Sequence, residues 1–205
     1  MNPKVIAVVA IAVVAVVCVA AYVMLGQGEK RDDPVDPVGP DLTGNAIVIY
    51  FSATGVTEDV AETIVDITKL PSYQIVPKVP YTTEDLNRDN KECRAAKECR
   101  GDLPLPEIGS KDIDLSKYSV IFLGFPIWYK EEPPMMHSFI DKYDLTGKTV
   151  IPFSTSWGSG IATAQSNLSK DVPGAFWIKG QNFLSTFTAD EVEEWLTAIG
   201  YLKTN

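Results

Sequence analysis

Residues 47–57 read IVIYFSATGVT, an apolar run that ends abruptly in hydroxyl side chains and a glycine. β-Branched and aromatic residues fill its first five positions, which is typical of a buried strand. The next ten residues, EDVAETIVDI, place apolar side chains at helical spacing. The stretch therefore predicts a strand, a tight turn and a helix in direct succession. The N-terminus of such a helix offers unpaired N–H groups and the positive end of a dipole, which suits a phosphate.

The turn between this strand and helix contains no cation. Ser52, Thr54 and Thr57 supply hydroxyl donors, and Gly55 permits close approach of a ligand to the backbone. The GxxxxGK[ST] and GxGxxG motifs of triphosphate and dinucleotide sites are both missing. Such a turn suits a terminal phosphate monoester held by neutral donors. The alternative is an ordinary helix N-terminus with incidental hydroxyls.

The N-terminal part of the chain differs in character from the rest. Residues 5–25 are 21 uncharged, predominantly apolar residues, about the number that a membrane-spanning helix needs. We therefore predict a transmembrane anchor over residues 1–27, a Pro/Asp-rich linker over 28–44 and a folded domain over 45–205. The short N-terminal flank favours a single-pass protein of the cell membrane with its domain outside the cytoplasm, although basic residues are nearly balanced across the span.

The charge and the cysteines restrict the possible partners and ligands. The formal net charge is −9, and from Asn45 onward 22 acidic residues face 15 basic ones. Binding to nucleic acid through charge is therefore not expected. No CxxC motif or histidine cluster predicts a metal site. Cys93 and Cys99 are six residues apart, so a disulfide between them needs a bend and an oxidising compartment.

The rest of the domain alternates apolar runs with helical patterns. Predicted strands cover 46–51, 73–76, 118–125, 149–153 and 175–178, and predicted helices cover 56–70, 134–143, 161–168 and 189–199. A long polar connection over 77–117 is compatible with helix at 83–99. Strands without polar alternation, separated by helices, indicate a parallel sheet covered on both faces. We expect a doubly wound α/β fold with five strands, whose ligands bind at the carboxyl ends of the strands.

Two further segments follow predicted strands at that ligand-binding edge. GFPIWYKEEPP, residues 124–134, places two adjacent aromatic residues on a proline-framed loop. Such a loop could form a wall for a flat ring, or it could be an ordinary exposed surface. STSWGSG, residues 154–160, is rich in glycine and hydroxyls, so its backbone amides could approach the polar edge of a heterocycle. A flexible turn before the next helix is the alternative.

Together the three segments resemble those of the flavodoxin-like FMN-binding family, more narrowly its short-chain branch. YFSATGVTEDVAETI is similar to the family's phosphate loop, FLGFPIWYKEEPP to its isoalloxazine loop, and IPFSTSWGSGIATAQSNL to its third flavin loop. The resemblance covers about residues 46–200 and implies a sheet of strand order 2-1-3-4-5 with FMN as the cofactor.

The resemblance also implies a set of site residues. The phosphate would be bound by Ser52, Thr54, Gly55, Val56 and Thr57. The isoalloxazine would be contacted by Pro126, Ile127, Trp128 and Tyr129. Its pyrimidine side would be bordered by Thr155, Ser156, Gly158, Ser159 and Gly160.

This chain departs from the family pattern at several points. Val56 replaces a frequent asparagine, which removes one side-chain polar contact but no backbone donor. Trp157 stands where the branch usually has glycine, so it would either cover the flavin or obstruct a substrate. The 77–117 connection has no clear counterpart in ordinary flavodoxins, and the membrane anchor is an addition.

The expected function is electron transfer by a membrane-anchored FMN protein, with a redox partner protein or a small molecule as donor and acceptor. An FMN-dependent NAD(P)H:quinone-type reductase and a non-redox binding module on the same fold remain alternatives. No catalytic residue is predicted, because the flavin performs the redox chemistry. His137, the only histidine, is expected on a helix surface, and Glu131-Glu132 in a solvated loop.

Overall fold

The hydroxyl-rich turn follows a central strand in the computed structural model, which describes residues 42–203. The strands are β1 (Ala46–Tyr50), β2 (Ser72–Gln74), β3 (Val120–Pro126), β4 (Thr149–Thr155), β5 (Phe176–Trp177) and β6 (Gln181–Phe183). The helices are α1 (Val56–Thr68), α2 (Arg94–Cys99), α3 (Pro134–Lys142), α4 (Ala162–Asp171) and α5 (Ala189–Ala198), and Leu115–Lys117 forms a 3-10 turn. This alternation confirms the predicted α/β class.

All strand pairs of the sheet are parallel, and their order is β2-β1-β3-β4-β5. The predicted order is therefore confirmed. The edge beyond β4 differs from the prediction of five strands, because a sixth strand, β6, also pairs with β4. β5 lies beside Thr149 and Val150, whereas β6 lies beside Phe153–Thr155.

Pro152 explains why this edge is divided between two short strands. The Val150 carbonyl accepts from the Ile178 N–H at 2.9 Å, and the Ser156 N–H donates to the Phe183 carbonyl at 3.1 Å. Backbone groups of a strand alternate in direction, so the N position of Pro152 faces the same edge as those of Val150 and Ser156. Proline has no N–H to donate there, and the ladder is interrupted.

The sheet is covered on both faces, as the uninterrupted apolar strands predict. Alternate residues of β1 and β3 enter two separate clusters of buried side chains. One cluster includes Met135, Met136 and Phe139 from α3 with Ala164 and Leu168 from α4. The other includes Val60, Ala61 and Ile64 from α1 with Val192, Trp195 and Leu196 from α5. Every residue of β1 is buried, so its carboxyl end is rigidly placed.

The connection between β2 and β3 contains less helix than the sequence suggests. Only Arg94–Cys99 forms an α-helix, whereas 83–99 is compatible with one. The preceding turn is held by reciprocal bonds between Thr82 and Asp85, in which each N–H donates to the other side chain at 3.0 and 3.2 Å. These reciprocal bonds form a capping-box pattern that starts a single turn. Beyond it, the side chains of Asn87 and Asn90 accept from the Asp89 and Glu92 N–H groups at 3.0 Å, and local side-chain bonds of this second kind compete with helix formation.

Two N-terminal predictions lie outside the described residues, namely the span at 5–25 and residues 28–41 of the linker. Within residues 42–203 no helix is long and apolar enough to cross a membrane. At the other end of the chain, the sequence Thr188-Ala-Asp-Glu191 has the pattern of a capping box, and the structure confirms it at the start of α5. The Glu191 N–H donates to Thr188 Oγ1 at 3.3 Å, and the Thr188 N–H donates to Glu191 at 3.0 Å.

Candidate functional site

The three segments singled out from the sequence meet at the carboxyl ends of β1, β3 and β4. The Phe51 N–H donates to the Gly124 carbonyl at 2.9 Å, which joins the first segment to the second. The Ile127 N–H donates to the Thr155 carbonyl at 2.9 Å, which joins the second to the third. The parallel sheet thus gathers residues about a hundred positions apart at one edge.

The first segment forms a cradle at the N-terminus of α1. Gly55 is the N-cap residue with φ +94°, and no side chain within the described part of the chain caps the helix. A Cβ added at Gly55 would meet nothing within 4 Å, so the space above the glycine is open. The Gly55 N–H donates to Ser52 Oγ at 3.1 Å, which leaves the Ser52 hydroxyl proton available to a ligand. This arrangement suits an anion.

Thr57 and Thr155 are oriented differently from the other predicted site residues. Both are almost completely buried, and their hydroxyl oxygens lie 2.7 Å apart. This bond joins the first and third segments directly, so it fixes the distance between the two loops. The predicted ligand contacts of these two hydroxyls stay predictions, whereas their mutual bond is a feature that the sequence did not indicate.

The second segment contains a tight and strained turn. The Trp128 N–H and the Glu131 N–H each donate to the other residue's carbonyl at 2.9 Å. Between them Tyr129 and Lys130 adopt φ values of +50° and +75°. Non-glycine residues in this conformation cost about 1 kcal/mol or more each, and such strain clusters at functional sites. Trp128 is half-buried and Tyr129 is exposed.

The third segment is held at its base and open at its tip. Ser156 Oγ donates to the Ser159 carbonyl at 2.5 Å and accepts from the Gly158 N–H at 3.2 Å. Gly158 has φ +139°, a conformation that only glycine adopts readily. Trp157 is 91% exposed, so no described residue covers its ring. The predicted site residues Ser156, Gly158, Ser159 and Gly160 are therefore chain neighbours of an indole that projects into solvent.

The β2–β3 connection contributes residues that the sequence reasoning did not assign to the site. A cleft of about 530 Å³ separates it from the first segment. The cleft is lined by Ala53, Thr54, Tyr81, Thr82, Thr83, Glu84, Leu86 and Asn87. The Tyr81 ring also meets the Trp128 ring edge to face at 5.1 Å. The only sequence signal for this role was the absence of a clear family counterpart for the connection.

Cys93 is the N-cap residue of α2, Cys99 is the last residue of that helix, and both are free thiols. Cys93 is buried with its Sγ 3.7 Å from the Tyr129 hydroxyl. Burial raises the pKa of the Cys99 thiol to about 12, and Glu98 adds to the increase. A protonated thiol is a poor nucleophile at neutral pH, so this geometry does not favour thiol–disulfide chemistry at Cys99.

The expectation that Glu131 and Glu132 both lie in a solvated loop is wrong for Glu132. Glu131 is exposed, but Glu132 is buried and bonded to two partners from helices. His137 Nε2 lies 3.1 Å from Glu132 Oε1, and Asn167 Nδ2 donates to Oε2 at 3.3 Å. The other nitrogen of His137 lies 3.2 Å from Asp171 Oδ2. His137 is thus a half-buried ion-pair partner between α3 and α4 and not a free surface residue.

The His137 cluster predicts a stability that depends on pH. The hydrogen bond to Glu132 raises the pKa of His137 above its usual value, with the charges of Glu132, Asp171 and Asp141 adding to the increase and burial opposing it. A raised pKa in the folded state stabilises the protein fully below about pH 6.5, and this contribution is lost as pH rises through the folded value. We expect His137→Gln to cost about 1 kcal/mol at pH 6 and much less at pH 9. Urea denaturation of both proteins at both pH values measures this, and an equal cost at both would contradict it.

The amino-acid sequence of the domain matches a known protein family. The sequence profile of the family described as Flavodoxin matches residues 45–199. The chain therefore belongs to the flavodoxin family. No curated protein matches it significantly.

Solved structures give the same picture. A candidate flavoprotein from Bacteroides eggerthii is 36% identical, covering 76% of this chain and 98% of its own, with a TM-score of 0.69. A second candidate flavoprotein, from Bacteroides uniformis, is 36% identical, and the match covers 75% of this chain and 98% of that one, with a TM-score of 0.71. A flavoprotein from Lactobacillus acidophilus, solved in complex with FMN, is 25% identical. The match covers 74% of this chain and 98% of that one, with a TM-score of 0.58.

Proposed function

We propose that this chain is a membrane-anchored flavodoxin-like protein that binds FMN and transfers electrons between a redox partner protein or small-molecule donor and an acceptor. The observation that carries the proposal is the open, uncapped cradle at Gly55, placed at the same sheet edge as the aromatic and glycine-rich loops. Membership of the flavodoxin family and an FMN-bound relative support FMN as the cofactor.

FMN would supply the redox chemistry when bound, and the protein would bind and orient it. Backbone N–H groups at the start of α1, with the hydroxyls of Ser52 and Thr54, would hold the phosphate. Pro126, Ile127, Trp128 and Tyr129 would contact the isoalloxazine. Thr155, Ser156, Gly158, Ser159 and Gly160 would border its pyrimidine side. The Thr57–Thr155 bond keeps the two outer loops at a fixed separation.

The charge around the site sets the expected redox behaviour. Glu58 and Asp59 lie in the first turn of α1, and the exposed Glu131 ends the turn of the aromatic loop, whereas Glu132 is paired with His137. Negative side chains disfavour additional negative charge on a nearby cofactor. We therefore expect this environment to lower the potential at which the flavin becomes fully reduced, which suits a low-potential electron carrier.

A spectrum of the purified protein tests the cofactor. The oxidised protein should be yellow and should release FMN on denaturation. A colourless protein that cannot be reconstituted with FMN would contradict the proposal and favour a non-redox binding module on the same fold.

A reductase of the NAD(P)H:quinone type is the second candidate. The cleft of about 530 Å³ beside the first segment has a volume typical of small-molecule sites, and it favours the reductase insofar as a nicotinamide or quinone enters it beside the flavin. Glu84 in that cleft and the acidic domain disfavour NADPH, which carries an additional phosphate. Rapid bleaching of the flavin by NADH alone would support the reductase, whereas reduction only through a partner protein would support the carrier.

The anchor rests on the 21 apolar residues at 5–25 and on the Pro/Asp-rich linker that follows. Ala15→Arg places a charge near the middle of that stretch, at a cost of about 3 kcal/mol for membrane insertion. We expect the wild-type chain in the membrane fraction and a substantial part of the variant in the soluble fraction. Protease added to spheroplasts should digest the domain of the wild type if it lies outside the cytoplasm.

A further inference from the structure

Glu98 is a buried carboxylate on the β2–β3 connection, and both of its oxygens have partners. Its side chain is 4% exposed, and its Oε1 lies 2.7 Å from Arg94 Nε, one helical turn earlier. Its Oε2 accepts a hydrogen bond from the Tyr81 hydroxyl at 2.5 Å. A buried ion pair is a weak source of stability, because desolvation offsets the attraction between the charges. Its fixed geometry is the more informative property.

That geometry holds the Tyr81 ring in one position. The Arg94 guanidinium lies 4.2 Å from the centroid of the ring, and its Nη1 donates to the Val79 carbonyl at 2.9 Å. The ring is therefore anchored at its hydroxyl by Glu98 and covered on one face by Arg94. A planar guanidinium can make such a stack and an ion pair at the same time.

The anchored ring in turn contacts the aromatic loop. Tyr81 meets Trp128 edge to face, with centroids 5.1 Å apart and planes at 86°. Phe51, the residue directly after β1, meets Trp128 with centroids 5.6 Å apart and Tyr81 with centroids 6.0 Å apart. Edge-to-face pairs are directional, so each ring constrains the orientation of the others.

The α2 segment supports the same loop from another side. Trp128 packs against the small cluster formed by Cys93, Ala95 and Ala96. The Tyr129 hydroxyl lies 3.7 Å from Cys93 Sγ. The loop is also the one with consecutive positive φ angles at Tyr129 and Lys130. A strained loop persists only when its surroundings hold it, and here much of the support comes from the connection.

We propose that Tyr81, Arg94 and Glu98 are positioning residues that orient Trp128 for the isoalloxazine ring, so that the β2–β3 connection is a working part of the flavin site. This inference rests on the proposed function. The three residues act on the ring end of the site, whereas the cradle at Gly55 acts on the phosphate. Substitution of these residues should therefore weaken the binding of FMN and the binding of riboflavin, which lacks the phosphate, by the same factor.

Tyr81→Leu tests the inference in the full-length protein. We expect the dissociation constants of both FMN and riboflavin to rise about tenfold, the value of one aromatic pair. We also expect the visible circular dichroism of the bound flavin to change, because that signal depends on the aromatic surroundings of the ring. Tyr81→Phe keeps the ring but removes its anchor, so its effect should be smaller, about threefold.

Glu107→Gln is the matched control, because it breaks the exposed Lys78–Glu107 pair of the same connection without touching Tyr81. It should change neither affinity nor the visible dichroism. If Tyr81→Leu does not fold, Tyr81→Phe and Glu98→Gln carry the test. If the folded Tyr81 variants keep the flavin affinities and the visible dichroism of the wild type, this inference is wrong, but the proposed function still stands. A wild-type protein that binds neither flavin would overturn the proposed function and this inference with it.

Discussion

Replacement of Ser52 by aspartate is expected to weaken FMN binding about a hundredfold or more and to change riboflavin binding by less than about threefold. Ser52 Oγ accepts the Gly55 N–H at 3.1 Å, at the uncapped end of α1. An aspartate there would place a carboxylate beside the expected position of the phosphate. Two charges about 4 Å apart near a protein surface repel by about 4 kcal/mol, and a hundredfold change corresponds to about 2.7 kcal/mol.

Ser52→Asn is the control for this substitution, because asparagine has the shape of aspartate and retains an acceptor oxygen without the charge. Its FMN affinity should stay within about tenfold of the wild type. The aspartate variant without flavin should also be more stable by about 0.5 kcal/mol, since a negative charge favours a helix N-terminus. Titration with FMN and riboflavin, followed by flavin fluorescence, measures both affinities. Equal losses of FMN and riboflavin in the aspartate variant would place the phosphate elsewhere.

The parts of the fold that follow from local sequence were predictable. The apolar run of β1, the spacing of α1 and the Thr188–Glu191 capping box all depend on residues close together in the chain. The three loops could be expected to meet, because the carboxyl ends of parallel strands lie at the same edge of a sheet. None of these predictions needed a contact between distant side chains.

The features that the sequence did not indicate depend on distant partners. Glu132 is buried because Asn167, which lies 35 residues later, bonds to it together with His137. Tyr81 contacts Trp128 while its hydroxyl is bonded to Glu98, 17 residues later. A charged residue next to another charged residue reads as solvated unless its partner is known. Charged connections are therefore where sequence reasoning is least informative.

The division of the sheet edge is an intermediate case. Pro152 is visible in the sequence TVIPF, and a proline inside a strand always removes one donor. The sequence alone does not show which neighbouring strand the missing N–H of Pro152 would have faced, because that depends on how β4 is paired in the sheet. The structure shows that the missing donor faces β5 and β6.

Gly124→Ala is expected to destabilise the domain by about 3 kcal/mol. Gly124 lies inside β3, directly opposite Phe153 of β4. A Cβ at this glycine would be 2.2 Å from Phe153 Cζ and 2.4 Å from Cε2, well inside contact distance. The Phe153 ring is fully buried and packs against Trp195, so it has little room to move. Overpacking of a filled core costs about 1–3 kcal/mol, and a contact this short favours the upper end of that range.

The double variant Gly124→Ala with Phe153→Leu identifies the cause of this loss. Phe153→Leu alone should cost about 1–2 kcal/mol through lost packing. In its presence the alanine methyl group has space, so the alanine should add less than about 1 kcal/mol. Urea denaturation of the wild type, the two single variants and the double variant should give a coupling energy of about 2 kcal/mol. Independent sites show coupling energies of only about 0.5 kcal/mol or less. Gly160→Ala, where a Cβ meets nothing within 4 Å, should be neutral or slightly stabilising. If the two core substitutions add independently, the cost arises from strand conformation and not from the ring of Phe153.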